Sequence, residues 1–262
     1  MHRYSYYLIS IFKLLSEFSP FILIIRLFTG LTGNGPHIVA LRRWGLRFEV
    51  RSAMDVWSVK ETFVDRFYER YGCLVGDGWV VVDIGGGIGD FSIFAAHHHP
   101  ANQVYAFEPY PGSFALLNGN LDRNQITNVQ AFQEAVWSSN GSLSLDTSTG
   151  EPVQFISREV GAEAWVGKTM VKCISLAETF ERLTIQACDL LKIDAEGAEY
   201  AILFNAPETC LAKIQRIVME YHDAITPYTH IDLVEFLQNK GYRVKTVENV
   251  VHPELGYLYA ER

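Results

Sequence analysis

The sequence predicts an α/β fold on a mostly parallel, Rossmann-like sheet, and three observations carry that expectation. The run Trp79-Val80-Val81-Val82 is continuously apolar, as in a strand buried on both faces, and it leads through Asp83 and a glycine turn, Gly85-Gly86-Gly87-Ile88-Gly89, into a helix-like segment from Asp90 to Ala96. Further apolar runs end in ionisable residues, at Glu108, Asp194 and Glu220, and ligands of parallel sheets bind at such strand ends. Tyr242–Val247 and Gly256–Ala260 read as a closing antiparallel pair, which sets the last strand against the rest.

Composition bounds the function. A chain of 262 residues, 48% of them hydrophobic, can bury the core of one α/β domain with room for an extension, and is neither disordered nor fibrous. The four cysteines, Cys73, Cys173, Cys188 and Cys210, form no C-x-x-C pair, so a structural zinc site is not expected; such sparse usage fits a reducing, cytoplasmic compartment. The net charge is −8, yet residues 1–51 hold seven Lys/Arg against two acids, +5, which leaves −13 on the remainder. An acidic main domain speaks against nucleic acid as substrate, because phosphate neutralisation supplies most of that affinity.

Residues 1–35 are rich in aromatic and aliphatic side chains, but Lys13, Glu17, Pro20 and Arg26 interrupt them, so no span of about 20 uncharged apolar residues exists to cross a bilayer. Two short helices broken at Ser19-Pro20 are expected, with Ser19 capping the second and proline at its first position. This segment could pack on the main domain, cover a substrate pocket as a lid, or lie on a membrane surface. Residues 45–56 alternate like a strand or hairpin, and Trp57–Tyr71 reads as one amphipathic helix with Val59, Phe63 and Phe67 on a stripe. The organisation expected is an extension over residues 1–54 and a main domain over 55–262.

The glycine turn decides the ligand class. A dinucleotide site asks for G-x-G-x-x-G; here Gly85, Gly87 and Gly89 are spaced G-x-G-x-G and the sixth position is Asp90. Asp83 and Asp90 would repel a pyrophosphate but suit a ligand with an ammonium and a sulfonium, such as S-adenosylmethionine (SAM). A tight turn with no ligand is the plainer alternative. His97-His98-His99, at the close of the following helix, do not converge on one point and are read as helix-end residues, not metal ligands.

The next strand, Gln103–Phe107, ends at Glu108, close to 20 residues past the turn, where an acid can accept from both ribose hydroxyls of an adenosine. A helix over Ser113–Asn124 and a strand over Val129–Phe132 lead to Glu134, a candidate for contact with the adenine amino group. Ser138–Glu159 suggests edge strands or a hairpin. Within CDLLKIDAEGAEY, residues 188–200, a central strand ends at Asp194, with Lys192, Glu196 and Glu199 nearby; Arg216–Met219 then leads to Glu220-Tyr221-His222.

With these residues quoted, the chain resembles the FkbM-type methyltransferases, SAM-dependent class I enzymes. The resemblance runs from about Asp55 to Ala260 and rests on VVVDIGGGIGDFS, VYAFEPYPGSFALLNGNL, LLKIDAEGAEY and IVMEYH, the third being the most specific. It departs at Gly87, where the family commonly has asparagine. It implies a seven-stranded, mostly parallel sheet with the last strand antiparallel, and methyl transfer from SAM to a hydroxyl oxygen of a sugar, glycolipid or small natural product. Asp83 and Gly85 would hold the methionine end, with Gly87 and Gly89 completing the turn; Glu108 would take the ribose, Glu134 the adenine region, and Asp194 would lie over the methyl group.

A hydroxyl is a weak nucleophile, so a general base is expected, from Asp194, Glu196, Glu220 or His222. His222 has the ordinary pKa best suited to neutral pH; Asp194 is read as the main base, with Glu220 and His222 supporting it. A variant scheme lets Asp194, Glu196, Glu220 and His222 chelate Mg²⁺. Two other classes stay open: an NAD-dependent dehydrogenase or sugar-nucleotide enzyme, and a non-catalytic protein on the same fold.

Overall fold

The computed structural model describes residues 3–32, 35–70, 74–146, 168–249 and 251–262. The extension opens with helices α1 (Arg3–Glu17) and α2 (Phe21–Phe28), separated at Ser19-Pro20. The capping expectation is corrected. Ser19 sits in a two-residue strand, β1 (Phe18–Ser19), and Pro20 takes the N-cap position without a side-chain hydrogen bond. β1 pairs with β2 (His37–Leu41), which pairs antiparallel with β3 (Leu46–Val50). Leu46, Phe48 and Val50 point inward from β3 while Arg47 and Glu49 alternate outward, the period of a half-buried strand.

Helix α3 (Ala53–Lys60) starts at Ser52, whose hydroxyl accepts from the Met54 N–H. The single helix expected to Tyr71 is also corrected. The chain widens into a π turn at Glu61–Asp65, turns left-handed at Arg66 (φ 53°), and resumes as α4 (Phe67–Arg70). The π turn brings residues five apart onto one face, and Lys60 Nζ lies 2.6 Å from Asp65 Oδ2. Lys60 is fully buried, so this ion pair and the Trp57 ring, 4.0 Å below the ammonium, offset the cost of desolvating it. Lys13 Nζ also reaches Asp65, at 2.6 Å, and ties α1 to the same turn. Val59, Phe63 and Phe67 do face the core, so the apolar stripe survives the break.

The main sheet follows. Its elements in chain order are β4 (Val80–Ile84), α5 (Asp90–His97), β5 (Gln103–Phe107), α6 (Pro111–Arg123) and β6 (Val129–Phe132). A small sheet of β7 (Ala135–Trp137), β8 (Gly141–Asp146) and β9 (Lys168–Ser175) intervenes, then α7 (Leu176–Arg182). Of the stretch Ser138–Glu159, the described part contains strand β8, and residues 147–159 lie outside the described residues. The chain continues with β10 (Leu190–Ile193), α8 (Glu199–Phe204), α9 (Glu208–Leu211), β11 (Arg216–His222), α10 (His230–Asn239), β12 (Arg243–Glu248) and β13 (Leu255–Glu261).

The seven strands lie in the order β12-β13-β11-β10-β4-β5-β6. β10, β4, β5 and β6 are parallel to their neighbours, as is β11 to β10, while β13 runs antiparallel between β11 and β12. The sheet is therefore Rossmann-like and mostly parallel, with its last strand reversed. β4 has neighbours on both edges and layers on both faces, which is why its sequence is continuously apolar rather than alternating. Val81 faces one core with Phe91, Val104 and Leu117; Val82 faces another with Leu191, Leu203 and Leu233. Each fully buried valine of this kind contributes ~1.5–3 kcal/mol. The first core also takes in Leu14, Phe18, Val39 and Phe48, so α1, β1, β2 and β3 pack into the same body as the sheet. Among the described residues, no helix is long and apolar enough to cross a membrane.

Candidate active site

The register of the sheet assembles the site. Ile84 of β4 pairs with Ile193 of β10 and with Phe107 of β5, and Ile193 pairs with Met219 of β11. The next residue after each strand therefore lands on one edge: Gly85, Asp194 and Glu108, with Glu220 on β11 beside Asp194. Gly85 and Gly86 both donate backbone N–H groups to the Phe107 carbonyl at 3.0 Å, which folds the turn over the sheet edge. Gly85 is required here twice over. Its φ is 78°, and a Cβ would stand 1.7 Å from the Asp194 carbonyl oxygen.

Beneath the turn lies a buried charge network. Asp83 is fully buried; its carboxylate accepts from the Ser92 hydroxyl at 2.6 Å and pairs with Lys192 Nζ at 3.0 Å. Lys192 also donates to the Gly85 carbonyl at 2.7 Å and lies 3.9 Å from Asp194. Burial opposes its charge, but Asp83, Asp194 and Asp90 outweigh that and keep the ammonium protonated. Asp83 thus props the turn and Lys192 from below rather than facing a ligand directly. Asp90 is turned toward α3 and the π turn, accepting from Ser58 and Thr62, and burial raises its pKa.

Glu108 is buried, and each of its oxygens accepts one backbone N–H at 2.8 Å, from Gly87 and from Tyr110. A carboxylate has lone pairs for about four donors, so two remain for vicinal hydroxyls held over the turn. Burial pushes Glu108 up to about 7 against the pull of those two amides, Lys192 and Arg51. Gly89 (φ 88°) starts α5, and the space next to Gly87 is open except for Asp90 Oδ1 at 3.9 Å from a built Cβ. The turn and Glu108 fit a nucleoside-bearing ligand. Glu134, by contrast, is clamped at 2.6 Å by Lys172 and at 2.6 Å by Arg182. Despite partial desolvation its pKa falls under those two cations. Arg182 in turn lies 5.0 Å over the Phe132 ring, which stacks on Phe107.

At the other side of the turn, Asp194, Glu220 and His222 bring one ligating atom each within 4.8 Å of one another. The Asp194 side chain is 28% exposed, and Tyr68 of α4 donates to its Oδ2 at 3.0 Å. Burial raises Glu220 well above the ordinary carboxyl range, and the neighbouring Asp194 adds to it, both favouring its protonated form. Glu196 is pushed up to about 7 by burial.

His222 requires a correction. Burial alone would lower its pKa, but Glu199 accepts from Nδ1 at 3.2 Å, Glu196 lies 3.4 Å from Nε2, and Asp194 adds its charge, which together raise it to about 10. At neutral pH it is an imidazolium, not a base poised near its ordinary pKa. The same facts bear on Mg²⁺, which prefers oxygen ligands, whereas this imidazole would first have to shed a firmly held proton.

Three residues of the site went unassigned by motif. Glu199 is fully buried and braces the loop by accepting from the Ala195 and Gly197 N–H groups at 3.1 and 3.2 Å. Its Oε2 has no hydrogen-bond partner among the described residues. The repeated acids of D-A-E-G-A-E were the signal for it. Tyr68 and Glu61 come from the broken helix, where a uniform helical reading hides which way each one points.

Comparison with known proteins agrees with this geometry. The family model for the methyltransferase FkbM domain matches residues 83–244. The 31-O-demethyl-FK506 methyltransferase FkbM of Streptomyces tacrolimicus is 30% identical over 214 residues, covering 71% of this chain and 80% of that protein. The hexuronic acid methyltransferase AglP of Haloferax volcanii is 27% identical over 197 residues, covering 74% and 77%. Among solved structures, the methyltransferase FkbM of Methylobacillus flagellatus superposes with a TM-score of 0.51 at 15% identity, covering 74% of this chain and 46% of that one, a likeness of fold. The site residues contributed by the glycine turn and the strand ends, from Asp83 to His222, lie inside the matched segment, while Tyr68 and Glu61 precede it, and the chain belongs to the FkbM methyltransferase family.

Proposed function

We propose that the protein is a SAM-dependent O-methyltransferase acting on a hydroxyl of a sugar, glycolipid or small natural product. The observation that carries this reading is the convergence of Glu108, Asp194 and Glu220 from adjacent strand ends around one glycine turn. The names of the relatives lend support, one being an O-demethyl-compound methyltransferase and another acting on a hexuronic acid.

SAM supplies a methyl carbon already activated by the sulfonium. The chain's residues bind, align and manage one proton. Glu108, fixed in aim by the Gly87 and Tyr110 amides, would accept from the ribose hydroxyls. The open space beside Gly87 would let the ligand approach the backbone. Asp194 would receive the proton that the acceptor hydroxyl gives up when its oxygen takes the methyl group, and Tyr68 holds that carboxylate in position. Glu220, in its protonated form, would donate to the acceptor oxygen or to Asp194, and the His222 imidazolium, pinned by Glu199, supplies a fixed positive charge next to the carboxyls. A base placed this way contributes ~10²–10⁴-fold.

The exposed apolar side chains of α1 and α2, among them Leu8, Phe12 and Ile22, favour peripheral contact of residues 1–35 with a membrane surface; flotation with liposomes, compared with a chain lacking residues 1–35, tests that contact. The function itself is tested by calorimetric titration with SAM, S-adenosylhomocysteine (SAH) and NAD, followed by a labelled-SAM screen of hydroxylated sugars, glycolipids and cell extract. Saturable binding of SAM and SAH with label transfer is expected; binding of NAD alone overturns the reading.

A further inference from the structure

SAM carries an α-carboxylate beside its ammonium and sulfonium. Glu108, Asp194 and Glu220 hold sugar hydroxyls and manage a proton, but they give that anion no countercharge. Lys192 is already committed beneath the turn, to Asp83 at 3.0 Å and to the Gly85 carbonyl at 2.7 Å, with a side chain only 4% exposed. A carboxylate drawn out of water is held best by a cation that also offers N–H donors. Arg51, between β3 and α3, is such a group.

Two chains of hydrogen bonds set Arg51 beside the glycine turn. Its Nη1 donates to the Ser113 hydroxyl at 3.0 Å, in the first turn of α6, and Tyr110, the N-cap residue of that helix, donates its N–H to Glu108 at 2.8 Å. The other Glu108 oxygen holds the Gly87 N–H. Two residues before Arg51, the Glu49 N–H donates to Asn120 Oδ1 at 2.6 Å, and Asn120 Nδ2 donates to the Glu49 carbonyl at 3.2 Å and the Ile88 carbonyl at 3.0 Å. Asn120 is fully buried, so this bridge fixes the end of β3 on the turn itself. The guanidinium is preset and not used up. Asp55 accepts from Nε at 3.0 Å and from Nη2 at 2.8 Å, a two-bond fork. With Ser113, three of the five guanidinium N–H groups are engaged among the described residues, which leaves one on each terminal nitrogen. The Arg51 side chain is 33% exposed against 10% for Asp55, so the fork is anchored at the Asp55 end and the guanidinium keeps an open face.

We propose that Arg51, aimed by Asp55 and Ser113, binds the α-carboxylate of the cofactor. This rests on the SAM reading and assigns the anionic end of the ligand, which the strand-end acids leave without a partner. It also places a cofactor-binding residue before the segment that the family model matches, which starts at residue 83. The β3–α3 turn then completes the cofactor site and does more than join an extension to the sheet. A guanidinium that only braced this turn would affect every ligand of the site alike, whereas one that holds the carboxylate distinguishes ligands that carry it from ligands that do not.

The test is calorimetric titration of the full chain with SAH and with decarboxylated SAH, which keeps the adenosine, the thioether and the ammonium and lacks only the carboxylate. Wild type should bind decarboxylated SAH ~10–150-fold more weakly than SAH, the worth of one hydrogen-bonded charged contact. Arg51→Met should weaken SAH by a similar factor and leave decarboxylated SAH within about threefold of wild type, so that the preference collapses. Arg51→Lys, which keeps the charge and loses the fork, should fall between the two. Arg51→Met strands the Asp55 carboxylate, so Arg51→Met with Asp55→Asn is measured beside it and should show the same collapse. Glu108→Gln, a change at the ribose end, should weaken both ligands alike. Circular-dichroism melts identify the folded variants. Equal weakening of both ligands in the folded Arg51 variants, an unchanged preference for SAH in them, or equal binding of the two ligands by wild type overturns the proposal. Wild type that binds neither ligand overturns the methyltransferase reading itself, and the proposal with it.

Discussion

The Tyr68 hydroxyl donates to Asp194 Oδ2 at 3.0 Å, and this bond joins a short helix of the N-terminal half to the end of the fourth strand of the sheet. It orients the carboxylate proposed to take the acceptor proton. Asp194→Asn should therefore cut turnover ~10²–10⁴-fold while SAH affinity stays within a few-fold. Tyr68→Phe removes one hydrogen bond to a charged group, ~1.5–3 kcal/mol, and should slow turnover at least ~10-fold. The double variant should be no slower than Asp194→Asn, because both act on one proton transfer. Initial rates with an acceptor from the labelled-SAM screen decide it; normal turnover in Asp194→Asn sinks the assignment.

Which parts of this site are readable in a sequence follows from geometry. Glu108, Asp194 and Glu220 each come at or directly after a parallel strand, and a parallel register carries such residues to one edge without further information. Tyr68 and Glu61 were not readable, because the π turn at Glu61–Asp65 and the left-handed Arg66 change the direction of the chain between them, even though Val59, Phe63 and Phe67 still face the core. The pKa of His222 was misjudged for a different reason. Its type suggests neutrality, but its proton is held by Glu199 and Glu196, which lie 23 and 26 positions earlier and meet it only once β10, α8 and β11 are packed. Ser19 had the right chemistry for a cap and was drawn into a strand pairing with Ala40 instead.

The buried carboxyls make stability depend on pH in a definite direction. Glu61, Glu108 and Glu196 are each pushed up to about 7, and Asp90 and Glu220 are raised as well, mainly by burial. Their folded values exceed their unfolded ones, so the native state binds more protons, and their contribution is fully present below about pH 4.5 and lost as pH rises through about 7. His222, raised to about 10, acts in the same sense, its contribution being lost between about pH 6.5 and 10. The ligand-free protein should melt at a lower temperature at pH 8 than at pH 5.5. A net loss of ~2 kcal/mol corresponds to about 4–8 °C. Scanning calorimetry across that range checks the sign, and a Tm that climbs with pH contradicts it.

Cofactor binding should carry its own proton signature. Glu108 accepts from hydroxyls best as a carboxylate, and its free value is about 7. Binding that favours the charged form releases a proton, so SAH affinity should rise with pH up to about 7 and level off above it. Calorimetry at pH 6.5 in buffers of different ionisation enthalpy should detect that release. Glu108→Gln should abolish it and weaken SAH by ~10–150-fold, the worth of a charged hydrogen bond of ~1.5–3 kcal/mol. An equal pH response in wild type and variant would place the proton elsewhere.

The glycines of the turn should not be interchangeable. Gly85→Ala drives a methyl into the Asp194 carbonyl, at 1.7 Å, and must shift the strand end that carries Asp194. Gly87 has φ 53° and open space beside it, a conformation that asparagine tolerates better than other side chains. Gly87→Asn should fold with stability within ~1 kcal/mol of wild type and keep SAH binding, whereas Gly85→Ala should lose it. Urea unfolding and SAH titration of the two variants would expose any equivalence between them.

Lys192 is the cation on which the buried acids beneath the turn depend. Its ammonium is 3.0 Å from Asp83, donates to the Gly85 carbonyl at 2.7 Å, and stands 3.9 Å from Asp194. Lys192→Met would leave Asp83 with the Ser92 hydroxyl and no countercharge in a fully buried position. Removing one partner of a buried ion pair costs ~3–5 kcal/mol, much of it the penalty of the charge left behind. Asp83→Asn combined with Lys192→Met removes both charges and should therefore be more stable than Lys192→Met alone, although it carries more substitutions. That reversal separates a charge effect from mere loss of packing, since a packing defect would make the double variant at least as unstable as the single one. Urea midpoints of the three proteins measure it, and a Lys192→Met variant as stable as wild type would show that the network under the turn does not hold the site together.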